Sequence, residues 1–225
     1  MTASTAGKLR ALAVILVMGC WAVVSHYASS GAGNADVNAA LGIAPLVLIA
    51  IVMLWQLPSR LGIAAGALVG AALIFWLWPQ LRENVSLLYY LQHLGAHLAL
   101  GTLFGRSLLG SGDALITRLA RSIYGDTITE RKVRYTRQAT LAWTLFFFGN
   151  ALVSTGLFLF APPATWSLHA NLLTWPLVGL MFLAEHLVRM CVLPPEERPH
   201  LADIITAYRR LSHPSQQAKT PTAQP

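Results

Sequence analysis

Six apolar stretches, each about the length that crosses roughly 30 Å of hydrocarbon as a helix, limit what this chain can fold into. They are residues 9–28, 39–57, 61–79, 86–109, 139–161 and 171–193. Gly, Pro, Asn and charged residues fill the gaps at 29–38, 58–60, 80–85, 110–138 and 162–170. Lipid offers backbone N–H and C=O groups no partner, so such stretches must satisfy themselves as helices. The expected fold is all-α: a polytopic membrane protein of six transmembrane helices with a basic amphipathic helix in the 110–138 loop. The 225 residues are 55% hydrophobic and only 11% charged, against about 25% charged in a soluble domain. That excludes a water-soluble globule and a disordered chain alike.

Orientation follows from the basic residues. With the N-terminus in the cytoplasm, every Lys and Arg except Arg82 falls on cytoplasmic segments or their flanks. The expected location is the bacterial inner membrane, multi-pass, with both termini cytoplasmic. For the first stretch a cleaved signal peptide stays open, since Lys8 and Arg10 precede the apolar core and Ala28, Ser29 and Ser30 follow it. Its length and the internal Trp21 favour a retained helix. Trp76, Trp78, Trp166 and Trp175 fall near the outer interface, Trp55 and Trp143 near the inner one, where amphipathic rings are favoured. Cys20 and Cys191 differ in depth by roughly 15 Å at 1.5 Å rise per residue, too far for a disulfide.

Gly62, Gly66 and Gly70 form a four-spaced ladder, repeated by Gly101 and Gly105. Small residues so spaced let another helix approach closely, either within the chain or across a homodimer; the oligomeric state stays open. Pro45 is expected to kink the second span. No internal repeat supports an inverted-repeat transporter.

The 110–138 segment is the most informative polar region. Asp113 reads as an N-cap. Leu115, Ile116, Leu119, Ile123 and Tyr124 share one helical face, with Arg118 and Arg121 beside it and Gly125 as the stop. Thr127 and Glu130 read as a capping box, after which a helix projects Arg131, Lys132, Arg134 and Arg137 into the cytoplasm before entering the membrane. These six cations suit anionic lipid or an acidic protein partner; no nucleic-acid motif accompanies them. Leu201, Ile204, Ile205, Tyr208 and Leu211 suggest a second amphipathic helix over 200–211, with a disordered end after Ser212.

Ionisable groups within spans are functional candidates. His93, His97, Asn150, Glu185, His186, Arg189 and Arg106 form the expected polar seam, opening toward the cytoplasm if their helices are neighbours. Three readings stand: pairing that fixes helix register, a head-group or proton path, and metal or acid–base chemistry. Histidines four residues apart suit a metal, but the Glu of an H-E-x-x-H motif is missing. No nucleophile elbow, phosphate loop or dinucleotide fingerprint is present, so no catalytic residue, metal or cofactor is assigned.

Gly105, Arg106, Ser107 and Leu108, then Leu115 through Ala120, then Tyr124 and Gly125, and then Tyr135, Thr136 and Arg137 lead into Trp143 and Phe146, Phe147 and Phe148. Over residues 86–190 this pattern resembles a family of bacterial inner-membrane proteins encoded beside fatty-acid-synthase-like genes that make aryl polyene or similar membrane lipids. The resemblance implies a setting of acyl carrier proteins, acyltransferases and lipid intermediates, and no catalytic residues. The expected function is an accessory protein that anchors or assists such a lipid-assembly system. A small transporter or flippase using Glu185 and His97, and a membrane-embedded enzyme, are the alternatives.

Overall fold

The computed structural model describes residues 3–110, 112–125 and 128–197. The expected tail helix over 200–211, the expected disordered end and Thr127 of the capping box lie outside the described residues. Among those described, every regular element is helical. They are α1 (Ala3–Ser29), α2 (Ala35–Trp55), α3 (Arg60–Glu83), α4 (Val85–Arg106), α5 (Leu115–Tyr124), α6 (Glu130–Phe160), α7 (Pro163–Ser167), a π-helical stretch (Leu168–Leu173), α8 (Thr174–Val192) and a 3-10 turn (Pro195–Glu197). Within the described residues, five segments are long and apolar enough to cross a membrane: Gly7–Ser29, Ala35–Trp55, Arg60–Glu83, Glu130–Phe160 and Pro163–Val192. Large side chains such as Phe75 (84% exposed) and Phe160 (89%) stand outside the protein interior, as hydrocarbon permits and water does not. The chain is a helical membrane protein.

The fourth expected span, 86–109, is helical as α4, but Gln92, His93 and His97 dilute its apolar character and it falls short on composition. The expected gap at 162–170 is helical from Pro163 onward. A proline at the start of a helix gives up only an N–H that no helix could bond, and the π turns then carry the chain into α8. Neither Pro45 nor Pro79 interrupts its helix.

Two compact units make up the chain. In the first, Met1–Leu98 with Phe148–Gly179, Ala28, Ala39, Val85, Tyr89, Trp166 and Ala170 form the core. Gly31 and Gly33 supply positive φ in the α1–α2 turn (85° and 88°), and Asn34 caps α2 by accepting from the Asp36 and Val37 amides. α2 closes on α4 at Gly42, where a Cβ would lie 2.8 Å from the Tyr89 ring and 2.9 Å from Leu88. Of the glycine ladder, Gly62 and Gly66 face Leu57 and Leu54 at the end of α2, whereas Gly70 faces open space. At the opposite end of α3, Arg82 (3.4 Å) and Trp78 (2.9 Å) both donate to Asp36. Trp166 is not an interface ring: it is 1% exposed, packs against Tyr90 and Phe158, and donates to Ser154 (3.0 Å).

In the second unit, Ala99–Phe147 with Leu180–Pro225, Tyr135, Ala139 and Leu193 pack with Ile116. Trp143 is likewise interior, 5% exposed and 4.6 Å from the Phe182 ring, with Phe104 and Phe147 around it. Gly101 is buried and Gly105 half-buried.

Two glycine substitutions should move stability in opposite directions. Gly42→Val overpacks the α2–α4 contact and should cost about 1–3 kcal/mol. Gly70→Ala meets no neighbour and should stabilise by about 0.5–1 kcal/mol. Thermal unfolding of the purified variants in detergent reads both; a stable Gly42→Val protein would show that the contact yields.

Candidate functional site

α5 is the most amphipathic helix among the described residues and is held by hydroxyls. The first amides of any helix lack an internal partner, and Asp113, the expected cap, does not serve them. Ala114 occupies the cap position; Leu115 N–H donates to Ser107 Oγ (2.9 Å) and Ile116 N–H to Thr140 Oγ1 (3.3 Å). One turn on, Thr117 bonds Thr136 hydroxyl to hydroxyl (2.7 Å), with both residues buried. Thr136, Thr140 and Thr144 each donate to a carbonyl four residues back on α6. This threonine ladder is a small-residue stripe of the same period as the glycine one, and it carries the α5 contact. Asp113 instead pairs with Arg121 (2.5 Å).

The six expected docking cations divide by surroundings. Arg118, Arg131 and Arg134 are exposed, and the 3.5 Å contact of Arg134 with the exposed Glu130 is of the weak surface kind. Arg121 is tied to Asp113, and Arg137 donates to the Leu108 carbonyl (3.0 Å). Lys132 does not project outward: it is 7% exposed, with Nζ 3.6 Å from the centre of the Tyr124 ring. The α6 start is capped by Thr129, which accepts from the Lys132 amide (3.2 Å) and donates to Glu197 (2.9 Å).

Glu185 and Arg189 form a bidentate pair, Arg189 Nη2 reaching Oε1 at 2.7 Å and Oε2 at 2.5 Å. The Tyr135 hydroxyl donates to the same carboxylate. Only 9% of the Glu185 side chain and 27% of Arg189 are exposed. This cluster forms one wall of a cavity of about 300 Å³ whose other wall is the apolar face of α5, with Lys132 and Tyr124 also lining it. The sequence pointed to Glu185 and Arg189; it did not point to Tyr135, nor to the enclosure of Lys132. His186 and Arg106 are exposed and belong to no cluster described here.

The remaining seam residues lie in the first unit. The His93 and His97 rings lie tilted at 35° with centres 4.2 Å apart, and His169, which the sequence did not single out, stands 5.9 Å from His93. His93 Nε2 bonds Thr174 Oγ1 (3.1 Å), and Thr174 donates to the His169 carbonyl (2.9 Å). His97 Nδ1 donates to the His93 carbonyl (2.9 Å). Asn150 is buried. Among the described residues no group of three or more His, Cys, Asp or Glu is placed to hold a metal ion. His93, His97 and Asn150 thus belong to the first unit, and the buried His93 Nδ1 and His169 Nε2 have no hydrogen-bond partner. A further polar knot went unread in the sequence: Ser29 and Ser167, both 0% exposed, bond each other at 2.7 Å and are joined by His26 and Asn171.

Breaking the Glu185–Arg189 pair from one side should strand a largely enclosed charge. Glu185→Gln is expected to cost about 3 kcal/mol, and adding Arg189→Gln should recover part of that loss. Unfolding of the two single variants and the double variant in detergent measures the coupling; independent, additive costs would show that the pair contributes nothing.

No family model matches the chain, and no curated protein or solved structure matches it either.

Proposed function

We propose that the chain is an inner-membrane accessory protein that anchors or assists a cytoplasmic lipid-assembly system, of the aryl polyene or similar lipid type. One observation carries this reading: exposed Arg118, Arg131 and Arg134 sit on α5 and the first turns of α6 within a single compact unit. Clustered cations held on rigid helices suit an acidic acyl carrier protein, and they suit the anionic leaflet beside it.

This reading includes six spans with both termini cytoplasmic. α4 has 22 residues, about 33 Å at 1.5 Å each, and its His93, His97 and Gln92 side chains all bond within the protein. With α4 crossing, Arg82 is the lone basic residue on the outer side, where Asp36 meets it.

Topology is testable with single cysteines in a background where Cys20 and Cys191 are replaced by Ala. An impermeant maleimide added to spheroplasts should label Glu83→Cys and spare Ser122→Cys; labelling of both, or the reverse, would remove the six-span arrangement. For docking, the protein in zwitterionic nanodiscs should bind purified acyl carrier protein, more weakly as salt rises. Reversing Arg118, Arg131 and Arg134 to Glu should weaken that binding by about tenfold or more. Unchanged binding by a normally inserted triple variant would eliminate this face.

A further inference from the structure

We propose that His93 and His169 bind one copper(I) ion in the first unit. Both residues lie within that unit, and each holds a buried ring nitrogen with no hydrogen-bond partner, His93 Nδ1 and His169 Nε2. The hydrogen bonds around His93 fix what its free nitrogen offers. Thr174 spends its hydroxyl proton on the His169 carbonyl (2.9 Å), so toward His93 Nε2 (3.1 Å) it can only accept. Nε2 therefore carries the ring proton, and Nδ1 of the neutral ring holds a bare lone pair. An imidazole whose other N–H is held by an oxygen is the usual arrangement of a metal-binding histidine.

Burying two polar nitrogens with nothing bound to them costs free energy, and a cation that takes both lone pairs removes that cost. Two imidazoles on opposite sides of one ion, each nitrogen about 2 Å from it, have ring centres about 6 Å apart. Those of His93 and His169 stand 5.9 Å apart. The number of ligands selects the metal. Zinc sites use three or four protein ligands, and among the described residues no group of three or more His, Cys, Asp or Glu is placed to supply them. Copper(I) accepts two nitrogens in line, and imidazole suits it. His169 belongs to the π-helical stretch Leu168–Leu173, a rare backbone form found frequently at functional sites. His97 packs on the His93 ring and donates from Nδ1 to the His93 carbonyl, so it is a positioning residue. The site goes beyond the docking reading and stands without it, because Arg118, Arg131 and Arg134 belong to the second unit.

Anaerobic titration of the full chain in detergent with copper(I), against a chromogenic chelator, tests the assignment in a background where Cys20 and Cys191 are replaced by Ala. One copper(I) should bind per chain, and X-ray absorption should show two nitrogen ligands and no sulfur. His93→Gln and His169→Gln should each remove that binding. Thr174→Val keeps both ligands but loses the hydroxyl that fixes the His93 ring, and it should weaken binding by about 10- to 100-fold. His186→Gln, at an exposed position in the second unit, should bind as the parent does. The arginine triple reversal should also leave copper binding intact, so failure of docking and failure of this site are separable. Undiminished binding by a monodisperse His93→Gln, His169→Gln double variant overturns the proposal. So does displacement of the copper by an equal concentration of zinc, or a parent protein that takes up no copper, whose two nitrogens then belong to a buried water.

Discussion

Hydrocarbon supplies no hydrogen-bond partners, and a helix satisfies only its own middle. The ends of helices and every buried polar side chain must therefore be provided for by other parts of the chain. Much of the detailed structure answers that demand with hydroxyl groups. Ser107 and Thr140 receive the first amides of α5; Ser154 receives the Trp166 indole N–H; Ser29 and Ser167 knot the end of α1 to the end of α7. Serine and threonine suit this task because each both donates and accepts in the volume of a small side chain, so helices still approach closely.

Charge is handled with the same economy. Among the described residues, Asp36, Asp113 and Glu185 each lie within bonding reach of an arginine, and two of them also accept a hydrogen bond from an aromatic side chain, Trp78 or Tyr135. Such arrangements fix geometry more than they add stability. In the second unit Tyr135 of α6 donates to Glu185 of α8, tying these two helices where the apolar face of α5 lines the other side of the cavity.

The helices were legible in the sequence because apolar length is a strong and local signal: α1, α2 and α3 fall where the hydrophobic runs predict. Their ends were less so. The start of α6 at Glu130 falls where the capping signal placed it, with Thr129 accepting from the Lys132 amide; the start at Pro163 was not foreseen, because hydropathy does not register a proline that is harmless at a first turn. Glu185 and Arg189 were visible because charge within an apolar run is conspicuous and the four-residue spacing pairs them. Tyr135 was not, since a tyrosine in a helix is ordinary until its hydroxyl is seen to meet a carboxylate. Lys132 was counted with its exposed neighbours because periodicity alone does not say which side of α6 is covered by α5. Glycine spacing was read and threonine spacing was not, yet Thr136, Thr140 and Thr144 follow the same period and hold the more consequential contact.

The threonine ladder has one more property. Thr136 and Thr140 spend their own hydroxyl protons on carbonyls of α6, so toward α5 they act mainly as acceptors. If α5 lifts, those two side chains keep the bond that each donates. The amides of Leu115 and Ile116 pass to water, and the apolar face of the helix bears the rest of the cost. Local opening of this segment therefore leaves no stranded donor inside the protein, and it is a low-energy excursion that slow amide exchange can follow at two adjacent residues.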